Sequence, residues 1–206
     1  MNSQTHWDAV YTAKASDSVS WYQPHADQSL QLIAATGVPR SAAIIDVGGG
    51  ASTLVDDLLA SGYQHLTVLD LAESALQTAQ RRLGGQGRAV QWIAADITRV
   101  MLPVHTFDVW HDRAVFHFLT EPAQRAAYVA SVLRSVKPGG HVIVATFAED
   151  GPTQCSGLPV IRYSASGLHG EFGDAFTLVH HHNEAHQTPT RHLQQFVYCY
   201  CRTQNS

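Results

Sequence analysis

Residues 43–50 have the sequence Ala-Ile-Ile-Asp-Val-Gly-Gly-Gly, a short apolar run that ends in three glycines. The run Ala43–Val47 predicts a buried strand that stops at a glycine turn. In the segment that follows, Ser52–Ala60, the apolar residues recur at helical spacing, which predicts a helix directly after the turn. A strand, a glycine turn and a helix in this order are typical of a parallel α/β sheet.

The same alternation continues along the chain. Strands are predicted at Leu66–Leu69, Val90–Ala94, Phe107–His111 and His141–Phe147, and helices at Ser74–Leu83 and Pro122–Val136. The segment Lys137-Pro138-Gly139-Gly140 is expected to stop the last helix. Near the C-terminus, Phe176–His182 and Gln195–Cys201 resemble two strands with about a dozen polar residues and no helical segment between them. We therefore predict a three-layer, doubly wound, mostly parallel sheet of seven strands with a C-terminal antiparallel hairpin.

Length and composition favour one packed enzyme domain of 206 residues, with 45% hydrophobic and 15% charged residues. Within it we expect an N-terminal cap at 1–40, a ligand-binding core at 41–147, and a substrate-side loop and hairpin at 148–206. The formal charge of -4 argues against binding to a nucleic acid backbone. We expect no signal peptide, no membrane span and a cytoplasmic protein, either monomeric or homodimeric.

Acidic residues follow three successive predicted strands. Asp46 ends the first strand, Asp70 ends the second, and Asp96 comes just after the third. Parallel sheets bind ligands at the carboxyl ends of their strands, where Asp70 could accept hydrogen bonds from both hydroxyls of a ribose. Asp96 could accept from an adenine amine while Ile97 packs on the ring. Helix capping is the alternative for each aspartate, but the three together favour a binding site.

The loop Gly48-Gly49-Gly50 by itself is compatible with NAD binding. Two details argue against NAD. Thr53 stands where a dinucleotide-binding loop needs its third small residue for helix–strand packing. Asp46, immediately before the loop, would repel a pyrophosphate but would suit a cationic amino-acid group.

Taken together, residues 44–50, 68–71, 95–97, 107–109 and 133–140 resemble the class I, seven-stranded S-adenosylmethionine-dependent methyltransferases. The loop departs from the common family pattern, because Ala51 and Ser52 leave its third glycine position unfilled. The resemblance implies S-adenosylmethionine as cofactor, with its methionine part at the loop, its ribose at the second-strand acid and its adenine at the third. The implied cofactor-binding residues are Asp46, Gly48, Gly49, Gly50, Asp70, Leu71, Asp96 and Ile97.

In related enzymes the end of the fourth strand lies beside the transferable methyl group, which makes His111, Asp112, Arg113 and His117 the candidates for substrate handling and catalysis. Asp112 or one of the two histidines would be the general base if one is needed. The segment is also similar to a motif of some protein lysine methyltransferases, although Arg113 replaces the lysine there. An Asp112–Arg113 ion pair or cap with a core histidine is the structural alternative.

The N-terminal aromatic residues Trp7, Tyr11, Trp21 and Tyr22 resemble the cap that covers the cofactor in many small family members. Trp21 and Tyr22 are the better candidates for a substrate lid, because they lie in a polar stretch. Aromatic side chains there can exclude water and contact a sulfonium through cation–π interactions. Helix packing is an equally good interpretation of Trp7 and Tyr11.

We expect no metal site, because consecutive residues of a strand such as His180–His182 point to opposite faces. Packing of buried thiols explains Cys155, Cys199 and Cys201 better than metalloid binding does. The function predicted from sequence is methyl transfer to a nucleophilic atom of a small molecule. A protein lysine methyltransferase is the alternative, and an NAD-type or non-catalytic nucleotide-binding domain is the second.

Overall fold

The computed structural model describes residues 3–13 and 16–205, so residues 1, 2, 14 and 15 of the predicted cap lie outside it. The α-helices are α1 Ser3–Ala13, α2 Asp27–Ala35, α3 Leu54–Ala60, α4 Glu73–Leu83, α5 Pro122–Ser135 and α6 Ala165–Phe172. The strands are β1 Ala43–Val47, β2 His65–Asp70, β3 Val90–Ala94, β4 Phe107–Arg113, β5 Val136–Phe147, β6 Gln154–Cys155, β7 Leu158–Pro159, β8 Phe176–Gln187 and β9 Leu193–Thr203. Short 3-10 turns occupy Gly84–Ala89 and Phe116–Phe118.

Seven of these strands form one sheet in the order β3-β2-β1-β4-β5-β9-β8. The neighbours from β3 to β5 pair in parallel, whereas β9 is antiparallel to both β5 and β8. The predicted fold class is confirmed. The order reverses between β1 and β4, and ligands bind at the carboxyl ends of the strands at such a switch point. The register pairs Asp46 with His111 there.

Alternate side chains of the buried strands enter two hydrophobic cores, one on each face of the sheet. Ile45 packs on the face covered by α5 and α6, while its neighbour Ile44 packs on the face covered by α2, α3 and α4. Strands buried on both faces are nearly continuous in apolar residues. This explains why the parallel strands were identifiable from sequence.

The predicted boundary at Lys137–Gly140 is wrong in one respect, because β5 already begins at Val136. Strands on both sides of this segment override its turn-forming sequence. The Lys137 ammonium contacts Asp108 of β4 at 2.8 Å. The backbone carbonyl of Lys137 accepts a hydrogen bond from the Thr203 hydroxyl of β9. The terminal strands are likewise longer than predicted, and only residues 188–192 connect them.

No helix among the described residues has both the length and the apolar character needed to cross a membrane.

Candidate active site

Two adjoining cavities lie at the carboxyl ends of the central strands. The larger, of about 360 Å³, runs from β1–β3 to the 3-10 turn after β4 and to the β6–β7 hairpin. The smaller, of about 50 Å³, lies between the glycine loop and residues 16–23. Tyr11, Trp21, Gly48 and Arg113 line both. We call them the large and the small cavity.

Most of the predicted cofactor residues surround these two spaces. The large cavity is lined by Gly48, Asp70, Leu71, Asp96 and Ile97, and the small cavity by Asp46, Gly48 and Gly49. The carboxyl ends of parallel strands meet at one edge of a sheet, and this brings residues far apart in sequence together.

Two glycines of the loop occupy backbone conformations that L side chains rarely adopt, with φ of +72° at Gly48 and +39° at Gly50. A Cβ on Gly48 would collide with the Val115 side chain. A Cβ on Gly50 would lie 2.7 Å from Asp70 Oδ2 and 3.1 Å from the Tyr11 hydroxyl. The loop can approach the acid at the end of β2 only because it has no side chains.

Asp70 is buried, with its Oδ1 accepting a hydrogen bond from the Ala72 N–H at 2.8 Å. The pKa of Asp70 is raised to about 7, mainly by burial and to a smaller extent by the nearby Asp46 and Asp8 carboxylates, while the hydrogen bond from Ala72 opposes the rise. Asp96 is more exposed and also caps the turn that follows it, accepting from the Thr98 N–H and hydroxyl at 2.9 and 2.6 Å. The capping interpretation of Asp96 therefore holds alongside its place in the cavity wall.

The chemistry of this wall fits S-adenosylmethionine. A ribose diol, an adenine amine and an amino-acid ammonium are all hydrogen-bond donors, and the wall offers carboxylate acceptors at three successive strand ends. Asp70 is buried, and the two basic residues of the cavity walls, His111 and Arg113, are paired with Asp46 and Glu184 instead. A ligand that donates to this carboxylate would offset part of the cost of burying it.

The four candidates from the fourth strand separate in the structure. His111 lines the small cavity, but both of its ring nitrogens have partners: Nδ1 lies 2.7 Å from Asp46 Oδ1 and Nε2 lies 2.8 Å from the Ser29 hydroxyl. Arg113 lines both cavities and is the only one of the four on the large one. It donates to the Tyr198 hydroxyl, the Trp21 carbonyl and Glu184.

Asp112 and His117 are fully buried and line neither cavity, contrary to the expectation that they face the substrate. Asp112 accepts hydrogen bonds from the Val115 N–H at 2.9 Å, the Phe116 N–H at 3.1 Å and the Tyr128 hydroxyl at 2.6 Å. It therefore closes the turn after β4. The Nδ1 of His117 accepts from the Phe147 N–H, and burial lowers the pKa of this histidine to about 3.

Aromatic side chains form the roof of the large cavity. Trp21 packs edge-on against Trp7 and Tyr11, with ring centroids 5.8 and 6.1 Å apart. Trp7 in turn meets Phe118 at 5.0 Å. Of the two predicted lid residues, Trp21 lines both cavities and Tyr22 lines the small one. The sequence reasoning missed Phe118 and the β6–β7 hairpin, whose Cys155, Leu158 and Pro159 complete the wall.

Cys199 and Cys201 are buried in the core that β9 helps to form, and burial raises the pKa of both thiols. Among the described residues there is no group of three or more histidines, cysteines, aspartates or glutamates arranged to hold a metal ion.

Comparison with known families extends this description. A family model described as a methyltransferase domain matches residues 44–140, the segment that carries β1 to β4 and the three strand-end acids. Residues 44–140 therefore resemble a methyltransferase domain, in agreement with the resemblance to class I S-adenosylmethionine-dependent methyltransferases seen in the sequence. The N-terminal helices and the terminal hairpin lie outside the matched segment. Both nevertheless line or brace the cavities, so a role for them remains compatible with the match.

Individual relatives are distant. The ubiquinone/menaquinone biosynthesis C-methyltransferase of Roseobacter denitrificans is 30% identical over 134 residues, which cover 64% of this chain and 47% of that protein. The chain thus spans about half the length of the curated relatives it matches.

Two solved structures share the fold at lower identity. One, from work on the conversion of a disulfide bond into a thioacetal group during echinomycin biosynthesis, has a TM-score of 0.78 at 19% identity and covers 98% of this chain and 91% of its own. The other is the 1,6-didemethyltoxoflavin-N1-methyltransferase of Burkholderia thailandensis with its substrate and S-adenosylhomocysteine. Its TM-score is 0.66 at 21% identity, over 98% of this chain and 84% of its own.

Proposed function

We propose that this protein transfers a methyl group from S-adenosylmethionine to a small, predominantly apolar molecule. The observation that carries the proposal is the contrast between the two ends of the large cavity. Asp70 and Asp96 stand at the ends of β2 and β3, whereas the end formed by the N-terminal residues, the turn after β4 and the β6–β7 hairpin is walled mainly by aromatic and aliphatic side chains: Trp7, Trp21, Phe118, Leu119, Leu158 and Pro159. A polar cofactor and an apolar acceptor match these two ends.

The protein lysine alternative has less support. A lysine acceptor would favour an acidic groove at the substrate end of the cavity. Glu121 is the acid there, and its carboxylate is occupied by the N-terminus of α5, where it forms a capping box with Gln124. The relatives named for ubiquinone/menaquinone biosynthesis and for the methylation of 1,6-didemethyltoxoflavin also favour a small molecule.

S-adenosylmethionine supplies the activated methyl group, so the protein has mainly to bind and orient. Asp70 and Asp96 would hold the ribose and adenine, and Asp46 with the glycine loop would hold the methionine part. The aromatic roof excludes water from the space between cofactor and acceptor. Positioning of this kind can lower a barrier by about 7–11 kcal/mol.

The hydrogen bonds of His111, Asp112 and His117 are directed at protein partners. We therefore propose that the acceptor atom presents its lone pair without a general base from this set. Pyridine-type ring nitrogens, thioethers and thiolates, which have a free lone pair and no proton to lose, belong to this class of acceptor.

Calorimetric titration with S-adenosylmethionine, S-adenosylhomocysteine and NAD tests the cofactor. We expect micromolar binding of the first two and none of NAD, and Asp70→Asn should weaken binding at least tenfold. Asp108→Asn is the control, because its ion pair with Lys137 lies at the other end of β4. Binding of NAD alone would overturn the proposal.

Transfer of a tritiated methyl group into metabolite and protein pools tests the acceptor. Label in organic-soluble small molecules is the expected result. Label confined to lysines of proteins would overturn the small-molecule assignment and favour the alternative.

A further inference from the structure

A buried ion pair joins the substrate side of β4 to the terminal hairpin. Arg113 and Glu184 lie 3.2 Å apart, and their side chains are only 9% and 15% exposed. The Tyr198 hydroxyl bridges them, accepting from Arg113 Nε at 2.9 Å and donating to Glu184 Oε2 at 3.1 Å. The Arg113 guanidinium also stacks on the Phe196 ring at 4.2 Å.

This group of side chains binds the residues that precede α2. We call residues 16–23 the strap. Arg113 donates to the Trp21 carbonyl at 3.2 Å, and Glu184 Oε1 accepts from the Gln23 amide at 2.8 Å. A second hairpin residue, His186, donates from Nε2 to the Ser20 carbonyl at 2.8 Å. Three side chains from the sheet therefore hold three successive parts of the strap.

The strap covers both cavities. Ser16, Val19, Trp21, Tyr22 and Gln23 line the small cavity, and Trp21 also faces the large one. Trp21 carries the aromatic roof, because Trp7 and Tyr11 both pack edge-on against it. The position of the strap therefore controls access to the carboxylates beneath it.

We propose that Glu184 is a positioning residue that holds the strap closed over the cofactor, acting through Arg113 and Gln23. The identity of the ligand in this proposal rests on the proposed function, whereas the closure of the strap does not. Nothing in the family-model match covers Glu184, which lies outside residues 44–140.

The site requires a side chain that accepts hydrogen bonds with two oxygens. Arg113, Gln23 and the Tyr198 hydroxyl all donate to Glu184, which accepts with both oxygens. A glutamine at this position has a single acceptor oxygen and turns an N–H towards one of the donors. It would also leave the buried Arg113 charge unpaired beside the cavities.

Hydrogen exchange measured by mass spectrometry tests the closure in the ligand-free protein. In Glu184→Gln, amides of the strap should exchange about tenfold faster than in the wild type, while those of β1 and β4 keep their rates. Asp108→Asn, which loses a more exposed ion pair at the other end of β4, far from the strap, should leave the strap unchanged. Wild-type exchange of the strap in Glu184→Gln would overturn the proposal even if the protein binds no S-adenosylmethionine.

Calorimetry then tests the consequence for binding. Glu184→Gln should lower the affinity for S-adenosylhomocysteine about tenfold. The affinity for S-adenosylmethionine should fall about threefold further, because its sulfonium charge is repelled by the unpaired Arg113. Failure of the wild type to bind either ligand would reject the proposed function but not the strap.

A double-mutant cycle separates positioning from general destabilisation. If Glu184 acts through the strap, Glu184→Gln should add little to the affinity loss already caused by Trp21→Ala. Additive losses would show that the two residues act independently, and the proposal would fall.

Discussion

At the scale of single residues, Gly50 is the position where the glycine loop meets Asp70, the proposed acceptor for the ribose. Its φ of +39° is one that L side chains rarely adopt, and a Cβ added there would lie 2.7 Å from Asp70 Oδ2. Glycine is therefore needed at this position for two separate reasons. Gly50→Ala should lower the affinity for S-adenosylhomocysteine at least tenfold, because the methyl group displaces Asp70 or Tyr11. Calorimetric titration measures this loss.

Gly62 supplies a matched control for that substitution. It also has a positive φ, of +87°, but a Cβ there would meet nothing within 4 Å. Gly62→Ala therefore carries the backbone strain alone, about 1–2 kcal/mol, and should leave affinity unchanged. Equal affinity losses in both variants would mean that strain, and not contact with the acid, limits binding.

At the scale of elements, the turn after β4 depends on Asp112. Its carboxylate accepts from two backbone N–H groups and the Tyr128 hydroxyl, and Ala114 within the turn has a φ of +75°. Asp112→Asn leaves one acceptor oxygen for three donors and should lower the free energy of unfolding by about 2–3 kcal/mol. Urea denaturation measures the loss.

The exposed pair Asp56–Arg82 provides the comparison, because an exposed ion pair contributes under about 1 kcal/mol. Asp56→Asn should therefore have a smaller effect than Asp112→Asn. If Asp112→Asn instead keeps full stability and loses turnover, Asp112 takes part in the chemistry, and the hypothesis made from sequence is the better one.

Sequence predicted elements well where local pattern and tertiary role agree. The strands β1 and β3 were predicted with their observed ends, and β1 in particular is a nearly continuous apolar run because it is buried on both faces. The hairpin β6–β7 was missed, since two-residue strands have no period to detect. The edge strand β8 was predicted too short, because its last residues, 183–187, are mostly polar and show no apolar alternation.

At the scale of the whole molecule, the acids of the site were predictable and the closure of the site was not. Asp46, Asp70 and Asp96 follow strands whose carboxyl ends must meet, so topology alone brings them together. Glu184 and Gln23 are 161 residues apart, and no pattern in the sequence links them. Asp112 and His117 were assigned to the substrate because sequence shows their chemical type but not their hydrogen-bond partners.

The pH dependence of the free energy of unfolding is also a property of the whole fold. The burial of His117 fixes the direction of one contribution to it. Burial lowers its pKa from 6.5 to about 3 in the folded protein. Below pH 6.5 the unfolded chain takes up a proton that the folded protein refuses, so this contribution to stability is lost as the pH falls from 6.5 towards 3. His117→Asn removes the titration and keeps an acceptor for the Phe147 N–H.

Relative to the wild type, His117→Asn should therefore gain about 2 kcal/mol between pH 7 and pH 5, at about 1.4 kcal/mol per pH unit below 6.5. The stability of Asp70→Asn relative to the wild type should instead fall between pH 7 and pH 5. Burial raises the pKa of Asp70 from 3.8 to about 7, so the folded wild type gains stability over the same interval by binding a proton that the asparagine cannot bind. Urea denaturation at both pH values measures the two differences. A stability difference for His117→Asn that is independent of pH would show that the histidine is not held neutral by the fold.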